Sequence, residues 1–150
     1  MDENEKSSTS FLMDALKNAE KEDFRQLSPR LTAGDADFPA YMDSILQEKG
    51  LKRQDVFQRA DLPQKYGYKL LSGESHTTDR DKLLRLFFAM GMTLLETQRA
   101  LALYGLPALY PKKRRDAIFI IALNKGVSSV DTVNDWLAEY GEAELSRSAD

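Results

Sequence analysis

One short stretch of the chain combines side chains that can hydrogen-bond to phosphates and to the edges of nucleotide bases. It contains Gln64, Lys65, Tyr66, Tyr68 and Lys69. Lysine ammonium groups neutralise phosphates, whereas a glutamine amide can pair with adenine through two hydrogen bonds. The two lysines are four residues apart, which places them on one face of a helix. The stretch therefore predicts a surface for nucleic acid, unless one tyrosine is a core residue and the lysines are merely solvated.

Two short helices joined by a tight turn would position these side chains. Residues 51–60 carry apolar side chains at helical spacing, and residues 61–63 have the composition of a turn. Pro63 suits the first position of the second helix, and Gly73 suits its end. We expect the first helix to pack against a core while the second projects outward.

Charge is distributed unevenly along the chain, although the net charge is only −3. Residues 52–115 contain 13 Lys and Arg against 6 Asp and Glu, whereas residues 1–51 contain 6 against 11 and residues 116–150 contain 2 against 7. This pattern predicts a polyanionic partner for the middle segment, unless the basic segment only faces the acidic ends. The run Lys112–Arg115 could contact phosphate or an acidic partner, but a solvated loop is the favoured interpretation.

Composition indicates a cytoplasmic globular protein without a cofactor. Apolar residues make up 42% of the 150 residues and charged residues 30%, which is typical of soluble domains. There is no Cys, so disulfides and thiolate metal sites are excluded. No apolar run approaches the roughly 18 residues of a membrane span, and the acidic start differs from a signal peptide. Since no nucleophile–base pair or phosphate-binding glycine loop is visible, no enzyme is predicted.

Helical periodicity throughout predicts an all-α fold of about eight helices. Residues 1–36 form an acidic N-terminal tail with one amphipathic helix and a linker in this interpretation, and residues 37–145 form the helical domain. That domain includes the two-helix motif at 51–73. Residues 141–150 are expected to be loose, with a disordered tail at 146–150.

Local signals mark several helix ends. Asp37, Thr93 and Ser129 are predicted N-caps, and residues 78–81 resemble a capping box. The run Ile118–Ile121 has strand propensity, but the helix-ending composition of the residues after it favours a helix.

Residues 38–145 resemble the Cro/repressor-like (lambda-repressor-like, XRE-type) helix-turn-helix family, including a bacterial subgroup with a helical C-terminal extension. The resemblance rests on Gly50-Leu51, Val56, Ala60, Asp61-Leu62-Pro63, Tyr66–Gly73, Thr78–Leu84, Ala89–Gly91 and the later stretch from Lys112 to Leu137. It implies a lambda-repressor-like bundle extended by further N- and C-terminal helices, with the helix at 63–71 in the DNA major groove.

Two residues depart from the family pattern. Gly67 lies inside the proposed recognition helix, where glycine costs about 0.5–1 kcal/mol relative to alanine. Pro63 replaces the usual small polar cap at the turn. We therefore expect a recognition helix that is less rigid than is usual for reading a groove.

The resemblance and the charge pattern together predict a sequence-specific, DNA-binding transcriptional regulator that is dimeric on a two-fold site. The first helix would cross the DNA backbone, so Lys52 and Arg53 at its start are preferred to Arg59. The predicted contacts to double-stranded DNA are Lys52, Arg53, Gln64, Lys65, Tyr66, Tyr68, Lys69, Ser75 and His76. The alternative is a protein-interaction adaptor or an antitoxin-like protein on the same fold, with a protein partner bound through the N-terminal helix and weak or no DNA binding.

Overall fold

The computed structural model of the chain describes residues 37–147, which form seven α-helices and, within that range, no strand. The helices are α1 (Phe38–Lys49), α2 (Arg53–Ala60), α3 (Gln64–Ser72), α4 (Arg80–Ala89), α5 (Leu94–Tyr104), α6 (Arg114–Asn124) and α7 (Val130–Glu139). The predicted all-α class is confirmed. The predicted N-terminal amphipathic helix and residues 148–150 lie outside the described residues.

Three helix starts are formed by the predicted capping side chains. The Asp37 carboxylate accepts a hydrogen bond from the Ala40 N–H at 2.9 Å. Thr93 and Glu96 form a reciprocal capping box, with distances of 2.9 and 3.1 Å. Ser129 caps α7 through the N–H of its third residue. Local sequence signals therefore place these ends correctly, because each cap involves residues only three positions apart.

Two helix starts differ from the predictions by one residue. Asp79 rather than Thr78 caps α4, with its carboxylate accepting the Asp81 N–H at 3.0 Å. Pro63 occupies the N-cap of α3 rather than its first helical position, because its backbone is extended at ψ 136°. Its carbonyl accepts the first helical hydrogen bond, from the Gly67 N–H at 2.9 Å.

The core is centred on α4, in which every residue from Lys82 to Ala89 is buried. Helices α2 and α7 pack against α4, whereas α1 packs against α3 and α5. The strand-like run Ile118–Ile121 is helical, as predicted, and lies in α6 between α5 and α7. A helix covered by neighbours on several sides needs apolar residues on several faces, which explains the uninterrupted run.

Residues 145–147 contact the rest of the fold, whereas the sequence predicted a loose segment at 141–150 and a disordered tail at 146–150. Leu145 is 1% exposed, and its N–H donates to the Asn134 side chain at 2.8 Å. The Ser146 N–H donates to Asp81 at 3.0 Å, and the Ser146 hydroxyl donates to Asp79 at 2.6 Å. Asp79 and Asp81 lie more than 60 residues away in sequence, so no local pattern at the C-terminus could reveal these two anchors.

The hydrogen bond from Ser146 favours the charged form of the Asp79 carboxyl group. Burial raises the pKa of its carboxyl group, but hydrogen bonds from Ser146 and the Asp81 N–H, together with the Lys82 charge, outweigh that effect. The net pKa of Asp79 lies below its ordinary value. The carboxylate therefore remains an acceptor for the C-terminal segment at neutral pH.

Candidate nucleic-acid interface

The crossing of α2 and α3 depends on a glycine. Gly67 is buried, and a Cβ atom added there would lie 2.4 Å from Cδ1 and 2.6 Å from Cε1 of the Phe57 ring. The same ring, fully buried, meets Tyr68 edge-on with centroids 4.9 Å apart. The sequence interpretation of Gly67 as a weak point is therefore incomplete, because the missing side chain is what lets α3 seat on Phe57.

The outward face of α3 carries polar side chains. Gln64, Lys65 and Tyr68 are exposed and Lys69 is half-buried, while Leu70 and Leu71 hold the opposite face in the core; Tyr68 is 45% exposed. Neither lysine has a carboxylate within 4 Å among the described residues. Within residues 37–147, no carboxylate neutralises these amines.

Tyr66 is placed differently from its neighbours on α3. Its side chain is half-buried and packs against the hydrophobic core. The prediction listed it with the outward residues, but most of its ring serves the scaffold. Tyr66 therefore fits the alternative given by the sequence, in which one of the two tyrosines is a core residue.

The loop after α3 is anchored at two points. The Ser75 N–H donates to the Lys69 carbonyl at 3.0 Å, which continues the end of the helix. His76 is exposed but stacks on Tyr104, with ring centroids 4.4 Å apart and planes 12° from parallel. The loop is therefore a fixed rim beside the C-terminal end of α3.

Helix α2 contributes a different set of cations from the predicted one. Lys52 is exposed at its N-cap, but Arg53 is paired with Asp43 of α1. Arg59, which was ranked below Arg53 from the sequence, is exposed and has no carboxylate partner within residues 37–147. An exposed ion pair of this kind reduces the charge that Arg53 offers to a phosphate.

A cleft of about 240 Å³ lies between the two helices. Its lining residues are Gln54, Asp55, Gln58, Leu62 and Gln64. Three amide side chains thus surround one opening, and each amide both donates and accepts hydrogen bonds. Sequence reasoning found only the glutamine of α3, although the spacing of four residues between the two glutamines of α2 was a usable signal.

Five of the 13 cations counted in residues 52–115 are paired with carboxylates within the fold. Arg80 pairs with Asp116, and Arg115 pairs with Asp81 at 2.8 Å. The cations of this segment without a carboxylate within 4 Å, among the residues described, are Lys52, Arg59, Lys65, Lys69, Arg99, Lys112 and Lys113, besides the buried Arg85. Four of them belong to the α2–α3 unit, so the unpaired charge concentrates there.

The buried side chain of Arg85 fixes the end of α2, just before the turn to α3. It is 1% exposed, and its guanidinium donates to the carbonyls of Ala60 at 3.0 Å, Leu145 at 3.0 Å and Ser146 at 2.7 Å. Burial lowers its pKa, while the nearby Asp61 acts in the opposite sense. A guanidinium nevertheless stays protonated, so the end of α2 and the C-terminal segment share one buried cation.

The turn residue Asp61 also makes a solvent-exposed ion pair with the C-terminal segment. It adopts a left-handed conformation at φ 57° and pairs with Arg147. The hydrogen bond from Arg147 lowers the pKa of Asp61. The C-terminal segment therefore contacts the turn that sets the angle between α2 and α3.

Two carboxylates at the start of α4 already have structural partners, whereas Asp55 of the cleft and Glu74 of the loop after α3 have no cation within 4 Å among the described residues. Asp79 and Asp81 bind Ser146, Lys82 and Arg115. Within residues 37–147, no three His, Asp or Glu side chains are grouped so that they could hold a metal ion. Over the same range, no helix has both the length and the apolar character needed to cross a membrane.

Comparison with known proteins adds no relative. A scan against protein-family models finds no matching family, and searches of the curated proteins and of the solved structures find no match either. The resemblance to Cro/repressor-like helix-turn-helix proteins therefore stays a prediction, since it depends on short motifs and on the extension after them.

Proposed function

We propose that this chain is a cytoplasmic, sequence-specific DNA-binding regulator of the Cro/repressor-like type, with α3 as its recognition helix. The observation that carries the proposal is the outward face of α3, where Gln64, Lys65, Tyr68 and Lys69 stand beside one another. Its two amines have no carboxylate partner in the described part of the chain. An α-helix of this kind fits the major groove of double-stranded DNA, and its polar side chains reach both phosphates and base edges.

A reading helix must be held in one orientation, and α3 is supported along its whole length. Its start is set by the turn that Arg85 fixes, its middle rests on Phe57 at Gly67, and its end is closed by Gly73. A backbone that is already fixed need not be ordered on binding, so the entropic cost that remains is that of the exposed side chains. This rigidity favours recognition of specific bases over loose electrostatic attachment.

The amides of the cleft would contribute base discrimination. Gln64 lies in the first turn of α3, and Gln54 and Gln58 of α2 line the cleft beside it. A glutamine that pairs bidentately with adenine discriminates against other bases by about 1–3 kcal/mol. We assign Gln64 to a base edge and the amides of α2 to holding it or to a neighbouring phosphate.

Two copies of the chain are proposed to bind one site. The nine-residue α3 alone contacts too few base pairs to distinguish one binding site from the many competing sites in a genome. Helix-turn-helix proteins overcome this limit by binding two half-sites about one helical turn apart. The expected target is therefore a palindromic or near-palindromic duplex.

Selection from random duplex DNA with the purified full chain at physiological salt tests the proposal. We expect enrichment of a motif with two-fold symmetry. If no duplex is enriched, DNA reading is excluded, and the adaptor or antitoxin-like function becomes the better explanation of the exposed face of α3. A pull-down with a chain lacking residues 1–36 then asks whether a protein partner needs the N-terminal segment.

The variants Lys65→Ala and Lys69→Ala are each expected to weaken binding to the selected duplex. Loss of one phosphate contact should reduce the slope of log K against log salt by up to about one unit. The measurement is a salt titration of affinity for each variant beside the wild type. Because the lysines have no carboxylate partner in the described fold, their removal should leave thermal stability nearly unchanged.

Lys125→Ala is the matched control for these lysines. Lys125 is exposed, has no carboxylate partner among residues 37–147, and lies at the far end of α6. Its removal should leave the slope unchanged. Equal slopes for wild type, both α3 variants and the control would reject α3 as the DNA-contacting helix.

Gln64→Ala is expected to change specificity rather than the salt slope. Repeating the selection with this variant should relax the preference at one base position in each half-site, equivalent to about 1–3 kcal/mol of lost discrimination. An unchanged motif would show that Gln64 does not read a base. Gln58→Ala, on the neighbouring helix, tests whether the cleft contributes.

A further inference from the structure

The loop that joins α5 to α6 lies directly beside the loop that follows α3. The Thr77 N–H donates to the Tyr104 hydroxyl at 2.7 Å, and His76 stacks on the same ring. Arg80 then donates to the carbonyls of residues 107 and 108, both at 3.2 Å. Because both loops share these anchors, the surface continues from the end of α3 to the start of α6.

The backbone of the α5–α6 loop is fixed by hydrogen bonds rather than loosely solvated. The Gln98 side chain donates to the Leu109 carbonyl at 3.0 Å and accepts the Leu109 N–H at 2.8 Å. The Tyr110 N–H donates to Asp116 at 2.9 Å, and Leu109 and Pro111 are buried. The sequence favoured a solvated loop, and the side chains of residues 112–114 do meet solvent, although the backbone before them is fixed.

Those side chains form a concentrated positive surface. Lys112 and Lys113 are exposed and have no carboxylate within 4 Å among the described residues. Arg114 is 67% exposed and lies 6.0 Å from the centre of the Tyr140 ring, with Glu142 at 3.9 Å. Arg114 is thus partly neutralised, and the two lysines carry most of the unpaired charge.

We propose that the Tyr110–Arg114 loop contacts the phosphate backbone of double-stranded DNA beyond the segment that α3 reads. The proposal rests on the proposed function, since it assumes that α3 docks on a duplex. A lysine binds phosphate as a point charge, and Tyr110, which is 49% exposed, carries a hydroxyl that can donate to a phosphate oxygen. Contacts of this kind add affinity without reading sequence. Each copy would then cover more DNA than its α2–α3 unit alone.

The test pairs a double variant, Lys112→Ala with Lys113→Ala, with two duplexes. One duplex ends at the selected motif, and the other extends it by roughly 10 base pairs on each side, one turn of the helix. We expect the wild type to bind the longer duplex more tightly, and the double variant to bind both equally. On the longer duplex, the salt slope of the double variant should fall by up to about two units.

The outcomes separate this proposal from the proposed function. If the wild type binds and Lys65→Ala reduces its salt slope, but the double variant still gains affinity from the longer duplex, the loop contact is overturned while the function stands. If the wild type binds no duplex, both fail. Lys125→Ala should behave as wild type on both duplexes. Unchanged thermal unfolding of the double variant confirms that its effect is not a folding defect.

Discussion

Replacing Arg85 with methionine is expected to lower the free energy of unfolding by about 2–5 kcal/mol, because each buried carbonyl that loses its donor costs about 1–3 kcal/mol. The three carbonyls concerned belong to Ala60, Leu145 and Ser146. The loss is smaller than three such costs, because methionine avoids the desolvation of a buried guanidinium. Urea unfolding monitored by circular dichroism measures the effect.

Arg85→Lys and Arg99→Met make the prediction specific. An ammonium group keeps the charge but cannot reproduce the planar fork that reaches three carbonyls, so Arg85→Lys should have an intermediate stability. The side chain of Arg99, half-buried on α5, has no hydrogen bond or ion pair within the described range, and its change to methionine should alter stability by less than about 0.5 kcal/mol.

In Arg85→Met, we expect the C-terminal segment around Leu145 and Ser146 to detach locally from the fold, in addition to the loss of overall stability. We expect faster hydrogen exchange at the Leu145 and Ser146 amides than in the wild type, measured under native conditions. If those amides stay protected and unfolding is unchanged, Arg85 does not hold the C-terminal segment. DNA binding by Arg85→Met should be measured at a temperature where the variant is folded. Weaker binding than that of the wild type would indicate that the C-terminal segment helps to fix the turn before α3.

Gly67→Ala is expected to destabilise the protein by about 1–3 kcal/mol, although alanine is the better helix former by about 0.5–1 kcal/mol. The new methyl group would lie within 2.8 Å of three atoms of the Phe57 ring. That ring is fully buried, so neither it nor α3 can move without disturbing the core. Thermal or urea unfolding of the variant measures the balance.

A double-mutant cycle with Phe57→Leu identifies the cause. A smaller side chain beneath α3 should accommodate the methyl group, so Gly67→Ala should become neutral or stabilising in the Phe57→Leu background. The expected coupling between the two changes is about 0.5–3 kcal/mol. Stabilisation by Gly67→Ala in the wild-type background would contradict close packing at this crossing. A displaced α3 should also reduce affinity for the selected duplex.

Both variants act on the same property of the molecule, which is the orientation of α3. Arg85 sets the end of α2 before the turn, and Gly67 sets how closely α3 lies on α2. Neither side chain needs to touch DNA. We therefore expect their variants to reduce affinity without shifting the preferred base at any one position, unlike Gln64→Ala.

Most of the candidate interface could be predicted from residue type and helical spacing. The lysines of α3 and Gln64 were identified because solvated polar residues follow a local period of 3.6. The environments of Arg53 and Tyr66 were not predicted, since a carboxylate on α1 pairs with Arg53 and Tyr66 packs against the core. Such partners lie on other helices, and the local sequence gives no sign of which helices will meet.

The sequence by itself determined the all-α class and most helix ends of residues 37–147. It could do so because caps such as Thr93 with Glu96, and apolar faces such as that of α1, involve neighbours a few residues apart. Only the tertiary structure decided that Gly67 is a packing requirement and that residues 145–147 are held. Those outcomes depend on which surfaces meet when helices pack. The stabilising contacts join residues that are ten positions apart at Gly67 and 60 or more apart at the C-terminal segment.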